Sequence, residues 1–325
     1  RRLVFCLFQW RNALDARTRS ANNGPMNPVC LSSRWAAHSA ALCCAVVWGI
    51  TFVSTKVLLS IFAPAEILFL RFLLGMIALW CVCPHRLRVD GARHELLFAG
   101  AGLCGVTLYF LLENIALQYT LASNVGVLVA ISPLFTALLA RILLGEQLRL
   151  RFFVGFAFAL TGIVCINVNS GAVLRLNPLG DLLAMLAALT WAFYSILTRK
   201  IGQLGHDTAL ATRRIFGWGL LLMLPVLPFA GVHADVDRLI LPLAAGNLLF
   251  LGLGASALCF VLWNFALTRL GPVCVSQYIY LIPLVTVGTS LLVLGEPVTL
   301  LAVLGMALIL AGLTISEGRF RIRRQ

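Results

Sequence analysis

The sequence predicts an all-α membrane protein of ten transmembrane helices, arranged as two inverted five-helix repeats. Three observations carry that reading: an apolar surplus, a constant register of matched residues between the halves, and basic loops that change sides with the repeat.

Hydrophobic residues make up 61% of the 325 residues and charged residues only 11%. That is more apolar surface than one soluble core of this length can bury, so a bilayer is the natural solvent for the remainder. A helix rising 1.5 Å per residue needs roughly 20 apolar residues to cross a hydrocarbon core about 30 Å thick. Such stretches lie near 37–59, 64–84, 95–116, 121–143, 150–169, 179–201, 208–230, 244–267, 271–294 and 297–317. Their connections are short and turn-like, as in Phe62-Ala63-Pro64 and Leu270-Gly271-Pro272, leaving no room for a soluble domain. The formal charge of +13 is spread over termini and loops without a basic face or nucleic-acid motif, so no nucleic-acid partner is expected. Eight of the ten cysteines lie inside apolar spans without paired zinc spacing, which reads as small buried hydrophobes, with no metal and no cofactor.

Residues 1–36 form a basic segment, read as a leader or disordered arm, with Met26 a plausible true start; residues 318–325 form a basic tail. Between them lie the two repeats, 37–169 and 179–317. Asn114-Ile115-Ala116-Leu117 matches Asn264-Phe265-Ala266-Leu267, Pro133-Leu134-Phe135-Thr136 matches Pro283-Leu284-Val285-Thr286, and Leu144-Gly145-Glu146 matches Leu294-Gly295-Glu296, each at an offset of 150. The same offset carries Gly102 to Gly252, Phe110 to Phe260, Gly155 to Gly305 and Gly162 to Gly312. An offset of 143 pairs Trp48 with Trp191, Lys56 with Arg199 and Arg71 with Arg214. Five is odd, so the second copy must enter the membrane from the opposite side.

Loop charges test this independently, because Lys and Arg are enriched in cytoplasmic loops. Arg86, Arg88 and Arg93 follow the second helix, whereas Asp235 and Asp237 beside Arg238 follow the seventh. Arg149 and Arg151 follow the fourth, and Thr299 and Leu301 stand at the equivalent places after the ninth. With Arg319, Arg321, Arg323 and Arg324 at the end, both termini are expected in the cytoplasm and the chain in the inner cell membrane. Inverted repeats favour a transporter, because exchanging two packings between the halves turns an inward-open cavity outward.

In order along the chain come Trp48-Gly49 with Phe52 and Lys56, Pro64-x-Glu66 and Leu70-Arg71-Phe72, Leu117-x-Tyr119 with Ala122-Ser123, Pro133, Gly145-Glu146, and Asn177-Pro178-x-Gly180-Asp181. Over residues 37–316 this pattern resembles the EamA-type ten-helix permeases of the drug/metabolite transporter superfamily. The resemblance implies a central cavity lined by helices one, three, four, six, eight and nine, and export or exchange of small metabolites such as amino acids. It also implies peripheral or oligomer-facing fifth and tenth helices, in a monomer or homodimer.

Aromatic side chains with a polar tip suit a cavity that must hold and orient a small substrate. Repeat-related Trp48 and Trp191 are the first candidates, as cavity lining or as packing, followed by Tyr109, Tyr194, Trp263, Tyr278 and Tyr280. Asn124 and Gln277 lack polar repeat partners, which suits a substrate contact. Asn114 and Asn264, kept in both halves, suit a bond to a neighbouring helix's backbone. Glu113 stands opposite Trp263 in the register and is either a proton-coupling carboxyl or a wetted one near the helix end. Glu66 and Arg71 are read as a gating pair or as side chains reaching to the headgroups. Pro133 and Pro283 offer matched kinks or hinges. The two Gly-Glu pairs read as a helix-ending glycine with a carboxylate near the next helix N-terminus.

No nucleotide-binding loop is present, and the histidines are scattered, so a secondary transporter is expected rather than an enzyme, with a proton as candidate coupling ion. A membrane-embedded scaffold or regulatory protein and a lipid-substrate enzyme are the competing classes.

Overall fold

The computed structural model describes residues 28–89, 91–119, 125, 128–169, 178–229, 237–294 and 300–317. Their helices fall into ten rods. The first five are α1 (Pro28–Leu58), α2 (Pro64–Val82), α3 (Ala92–Gly102, a π-helical segment Leu103–Leu108, then Tyr109–Tyr119), α4 (Ser132–Leu144) and α5 (Leu150–Asn169). The second five are α6 (Pro178–Gln203), α7 (Thr208–Met223), α8 (Pro242–Leu249, a π-helical segment Phe250–Leu258, then Cys259–Leu270), α9 (Pro272–Ser276, a 3-10 segment Gln277–Tyr280, then Leu281–Leu294) and α10 (Leu300–Glu317). No strand occurs among the described residues. The stretches Pro64–Val82, Ala92–Ala116, Pro178–Gln203 and Pro242–Leu270 are long and apolar enough to cross a membrane. Ile142, Leu150, Leu292 and Leu300 are 74%, 78%, 84% and 76% exposed, an outer surface that water would penalise and lipid would not.

Several helices differ from the sequence expectation. The first begins at Pro28 instead of 37, and Pro suits the opening turn of a helix, where its missing N–H has no partner to lose. The seventh ends at Met223, before a 3-10 turn at Leu227–Phe229. Pro133 and Pro283 do not interrupt helix interiors. Each sits in the first turn of a helix, after a turn at Ala130–Ile131 in one case and the 3-10 segment in the other. There the proline ring costs no hydrogen bond, so the break precedes the proline.

Small residues decide how closely the rods pack. Along α1, Ala37, Ala41, Cys44, Ala45 and Trp48 fall on one helical face, and the first four are wholly enclosed. Along α6, Ala184, Ala187, Ala188 and Trp191 repeat the arrangement 143 residues on. The first face packs on α8 and α9, and α6 packs on α3 and α4. The main contacts thus run between the first five rods and the second five. The same holds for α2 against the π segment of α8 and α7 against the π segment of α3.

The fifth and tenth rods pack on each other, backbone to backbone. A Cβ on Gly155 would lie 2.5 Å from the Gly312 carbonyl oxygen, and one on Gly162 would run into the Gly305 carbonyl. As one position rises from 155 to 162 its partner falls from 312 to 305, so the helices are antiparallel.

Candidate functional site

Of the aromatic candidates, Trp48, Tyr109, Trp191, Tyr194 and Trp263 meet at one place, while Tyr278 packs on His38 and Tyr280 on Phe156. Trp48 lies edge-on to Trp191 at 5.6 Å between ring centroids and 4.8 Å from Trp263. Tyr109 stands 4.9 Å from Trp191, and Tyr194 stands 5.1 Å from it. Phe260 joins this group to Phe72 and Phe216. Four rods, α1, α3, α6 and α8, therefore contribute rings to one cluster in the interior, with Trp191 and Trp263 buried.

The polar tips of these rings are treated unequally. The Trp48 indole N–H donates to the Ala255 carbonyl oxygen at 3.0 Å. Ala255 lies in the α8 π segment, where the shifted hydrogen-bond register turns a carbonyl toward an outside donor. Among the described residues, the buried indole N–H groups of Trp191 and Trp263 find no partner, nor do the two side-chain polar atoms of Gln277. A buried donor without an acceptor costs about 1–3 kcal/mol, and a bound polar ligand would recover it.

A charged group borders the rings. Arg71, read as a gating residue or as reaching to the headgroups, is buried, with its Nε–H donating to Ser256 Oγ at 2.9 Å and its guanidinium carbon 4.9 Å from the Phe110 ring centroid. Burial becomes tolerable because the π segment supplies Ser256 and two aromatic faces flank the cation. The guanidinium lies within electrostatic reach of Glu113, whose carboxylate accepts a 3.4 Å hydrogen bond from the Tyr109 hydroxyl one turn earlier. Glu66 is not paired with Arg71. Its carboxylate accepts from the Ala63 N–H at 2.7 Å, closing the first turn of α2, and lies 3.9 Å from Arg238.

At the opposite ends of the rods, Tyr278 shares a 2.7 Å hydrogen bond with His38 of α1. Asn264 bonds side chains, not a neighbouring backbone: it accepts from the Tyr194 hydroxyl at 2.5 Å and donates to Thr212 at 3.0 Å, joining α6, α7 and α8. Arg199 donates to the carbonyls of Leu267 and Thr268, capping the end of α8. Gly145 ends α4 with φ of 69°, as expected of a helix-ending glycine. Its neighbour Glu146 does not serve the next helix, α5. The carboxylate faces Gly271 at the start of α9 and feels Arg199, because the chain turns back over the cluster there. Burial pushes the Glu146 carboxyl above the usual range and the Arg199 charge opposes this.

Asn124, Asn177, Gly295, Glu296, residues 1–27 and the basic tail lie outside the described residues. Among the described residues no group of three or more His, Cys, Asp or Glu could hold a metal ion, and the cysteines are free thiols. His38 and Ser256 escaped the sequence reading. The signals available were a histidine inside an apolar helix and a serine in an otherwise apolar run.

The model of the EamA-like transporter family matches residues 35–168 and again 178–317. The chain belongs to this family. As an EamA-type permease of the drug/metabolite transporter superfamily it is a multi-pass membrane transporter, not an enzyme. Among its relatives, a protein of Streptantibioticus cattleyicolor named a probable terminal-alkyne amino-acid exporter is 31% identical, over 86% of this chain and 93% of the relative. A protein of Salmonella typhimurium named a probable amino-acid metabolite efflux pump is 28% identical, over 87% of this chain and 95% of the relative. A crystal structure at 20% identity superposes with a TM-score of 0.67, covering 86% of this chain and 96% of the other, which shows that the two share a fold.

Proposed function

We propose that the protein exports small polar metabolites of the amino-acid class by alternating access, with the aromatic cluster as the occluded substrate site. The observation that carries this reading is the meeting of Trp48, Tyr109, Trp191 and Trp263 from four rods, with two indole N–H groups that find no partner among the described residues. Rings supply apolar and cation–π contact, and the free donors suit a carboxylate or carbonyl oxygen. Two relatives named for amino-acid export agree with the substrate class.

In this reading ten transmembrane helices form two inverted repeats, 37–169 and 179–317, with both termini in the cytoplasm of an inner-membrane protein. The glycine contacts of α5 and α10 support the inversion: adding 150 to Gly155 and Gly162 gives Gly305 and Gly312, so each contact maps onto the other. The two π segments occupy the same register in their repeats, which supports it further. Glu113, beside Arg71 and Tyr109, is the proton-coupling carboxyl, and the His38–Tyr278 and Glu66–Arg238 contacts hold the two ends closed.

Purified protein in liposomes, loaded with labelled amino acids and exposed to an imposed proton gradient, tests this. Export driven by the gradient is expected. Trp191→Phe keeps the ring and loses the donor, and should raise KM by about threefold to tenfold with the fold intact. Glu113→Gln should leave exchange of substrate running while abolishing its response to the gradient. A gradient response that survives Glu113→Gln removes Glu113 from the coupling role, and absence of any amino-acid flux from folded protein sinks the substrate class.

A further inference from the structure

A cavity of about 360 Å³ lies apart from the aromatic cluster, between the ends of α2, α3 and α7. Its polar end holds Arg86, Arg213, Arg214 and Glu95, and its apolar end holds Met76, Trp80 and Leu221. The charges do not cancel. Glu95 is committed to Arg214, accepting from its Nε at 3.0 Å, and takes a further hydrogen bond from Trp218. Arg213 donates only to the backbone carbonyls of Cys83 and His85, and its guanidinium lies 4.9 Å from the Trp80 ring centroid. Neither Arg213 nor Arg86 has a carboxylate within 4.0 Å among the described residues. Among the described residues, three guanidinium groups and one carboxylate thus line the cavity.

The apolar end continues from the charges in steps of about one turn. On α7 the order is Arg213, Gly217, Leu221, and on α2 it is Trp80, Met76. Gly217 leaves a gap between the helices, where a Cβ would meet nothing closer than the Met76 methyl at 3.5 Å. Trp80 and Leu221 are 46% and 53% exposed, so the groove opens sideways to the bilayer. A pocket with an excess of positive charge among the described residues, continuous with an apolar side groove, matches a phosphate carrying an acyl chain.

We propose that this cavity binds the headgroup phosphate of an anionic membrane phospholipid, with Arg86 and Arg213 on the phosphate and an acyl chain in the groove over Gly217. Substrate identity and transport direction do not enter this assignment, which needs only a bilayer around the protein. The phosphate could come from a lipid or from solution, and the groove favours the lipid.

The full chain in detergent, titrated with phosphatidylglycerol, phosphatidylcholine or inorganic phosphate and read by native mass spectrometry, tests this. Phosphatidylglycerol should occupy the protein at least fivefold more than phosphatidylcholine, and millimolar phosphate should not displace it. Arg86→Glu, which leaves every internal hydrogen bond named above in place, should lower phosphatidylglycerol occupancy about fivefold or more. Gly217→Leu keeps the charges and fills the groove, and should lower it comparably. Arg149→Glu, an equal charge change on another loop, should leave it unchanged. Equal occupancy by the two lipids, loss on Arg149→Glu equal to that on Arg86→Glu, or unchanged binding in Gly217→Leu would overturn the site. Displacement by phosphate at equal concentration would overturn the lipid in favour of the free anion.

Discussion

The two π-helical segments, Leu103–Leu108 in α3 and Phe250–Leu258 in α8, occupy matched positions and do different work. The α8 segment gives its Ala255 carbonyl to Trp48 and its Ser256 hydroxyl to Arg71. The α3 segment makes no such pair of bonds. Gly105, the counterpart of Ala255, lies under the ring of Tyr194, and Thr107 donates to the Gly219 carbonyl of α7 at 2.9 Å. Beyond the segments, α3 continues with Tyr109 and Glu113 where α8 has Cys259 and Trp263. The same contrast separates Arg71, buried between rings, from its counterpart Arg214, held by Glu95 beside a cavity. At matched positions the first half carries Tyr109, Glu113 and a buried Arg71, and the second carries Cys259, Trp263 and an Arg214 paired with Glu95. In the proposed reading, coupling and substrate contact therefore sit beside each other without being duplicated.

The strongest way to break the comparison is at Gly102, just before the first segment, and its counterpart Gly252, inside the second. A Cβ on Gly102 would lie 2.6 Å from the Ile215 carbonyl oxygen and 2.7 Å from the Gly219 nitrogen, both backbone atoms. On Gly252 the shortest contact is 2.6 Å to Leu74 Cβ, and the backbone approach is 3.2 Å, to the Arg71 oxygen. Gly102→Ala should thus destabilise more than Gly252→Ala, by about 3 kcal/mol or more against about 1–3 kcal/mol, read as thermal unfolding in detergent. Equal losses would mean that α7 can shift away from α3 as freely as α2 from α8.

A smaller effect separates the paired asparagines. Asn264→Ala strands the buried Tyr194 hydroxyl and should cost about 1–2 kcal/mol, within the range for side-chain hydrogen bonds between membrane helices. Asn114, only half-buried, should cost less than half as much when replaced by Ala in the same unfolding measurement. The smallest expected effect is at Glu146. Its carboxyl is raised by burial, so the folded state favours the protonated form, and stability linked to that proton is present at low pH and lost as pH rises through the shifted value. Glu146→Gln should melt slightly above the parent at pH 8, with the gap closing as pH falls below the ordinary carboxylate range. A gap of opposite sign would show that attraction to Arg199 outweighs the burial.

Much of this was legible in the sequence because the sequence says it twice. Trp48 and Trp191 stood out as a repeated pair, and Tyr109, Tyr194 and Trp263 joined them on chemistry alone. The π segments were not legible: Leu-Cys-Gly-Val-Thr-Leu reads as ordinary apolar helix, and the extra residue in the turn is accommodated where a neighbouring backbone presses on Gly102. Arg71 reads as a gating residue or as reaching to the headgroups because its acceptor, Ser256, lies 185 residues away. The link from Asn264 to Tyr194 and Thr212 was hidden for the same reason, since three helices must already be packed before it exists. The sequence offers Pro133 and Pro283 as kinks or hinges, whereas each stands in the first turn of a helix, because composition does not tell on which side of a proline the helix stops.

In the proposed exchange of packings, the glycine seam between α5 and α10 takes the place of an axle. If the two repeats trade packings as proposed, the Gly155–Gly312 contact becomes the Gly305–Gly162 contact and the seam is returned to itself. Whatever free energy separates the inward-facing from the outward-facing form must then arise elsewhere, where the halves differ. Those places are Glu113 facing Trp263 in register, Arg71 with its serine, and the unequal closures at the two ends of the rods.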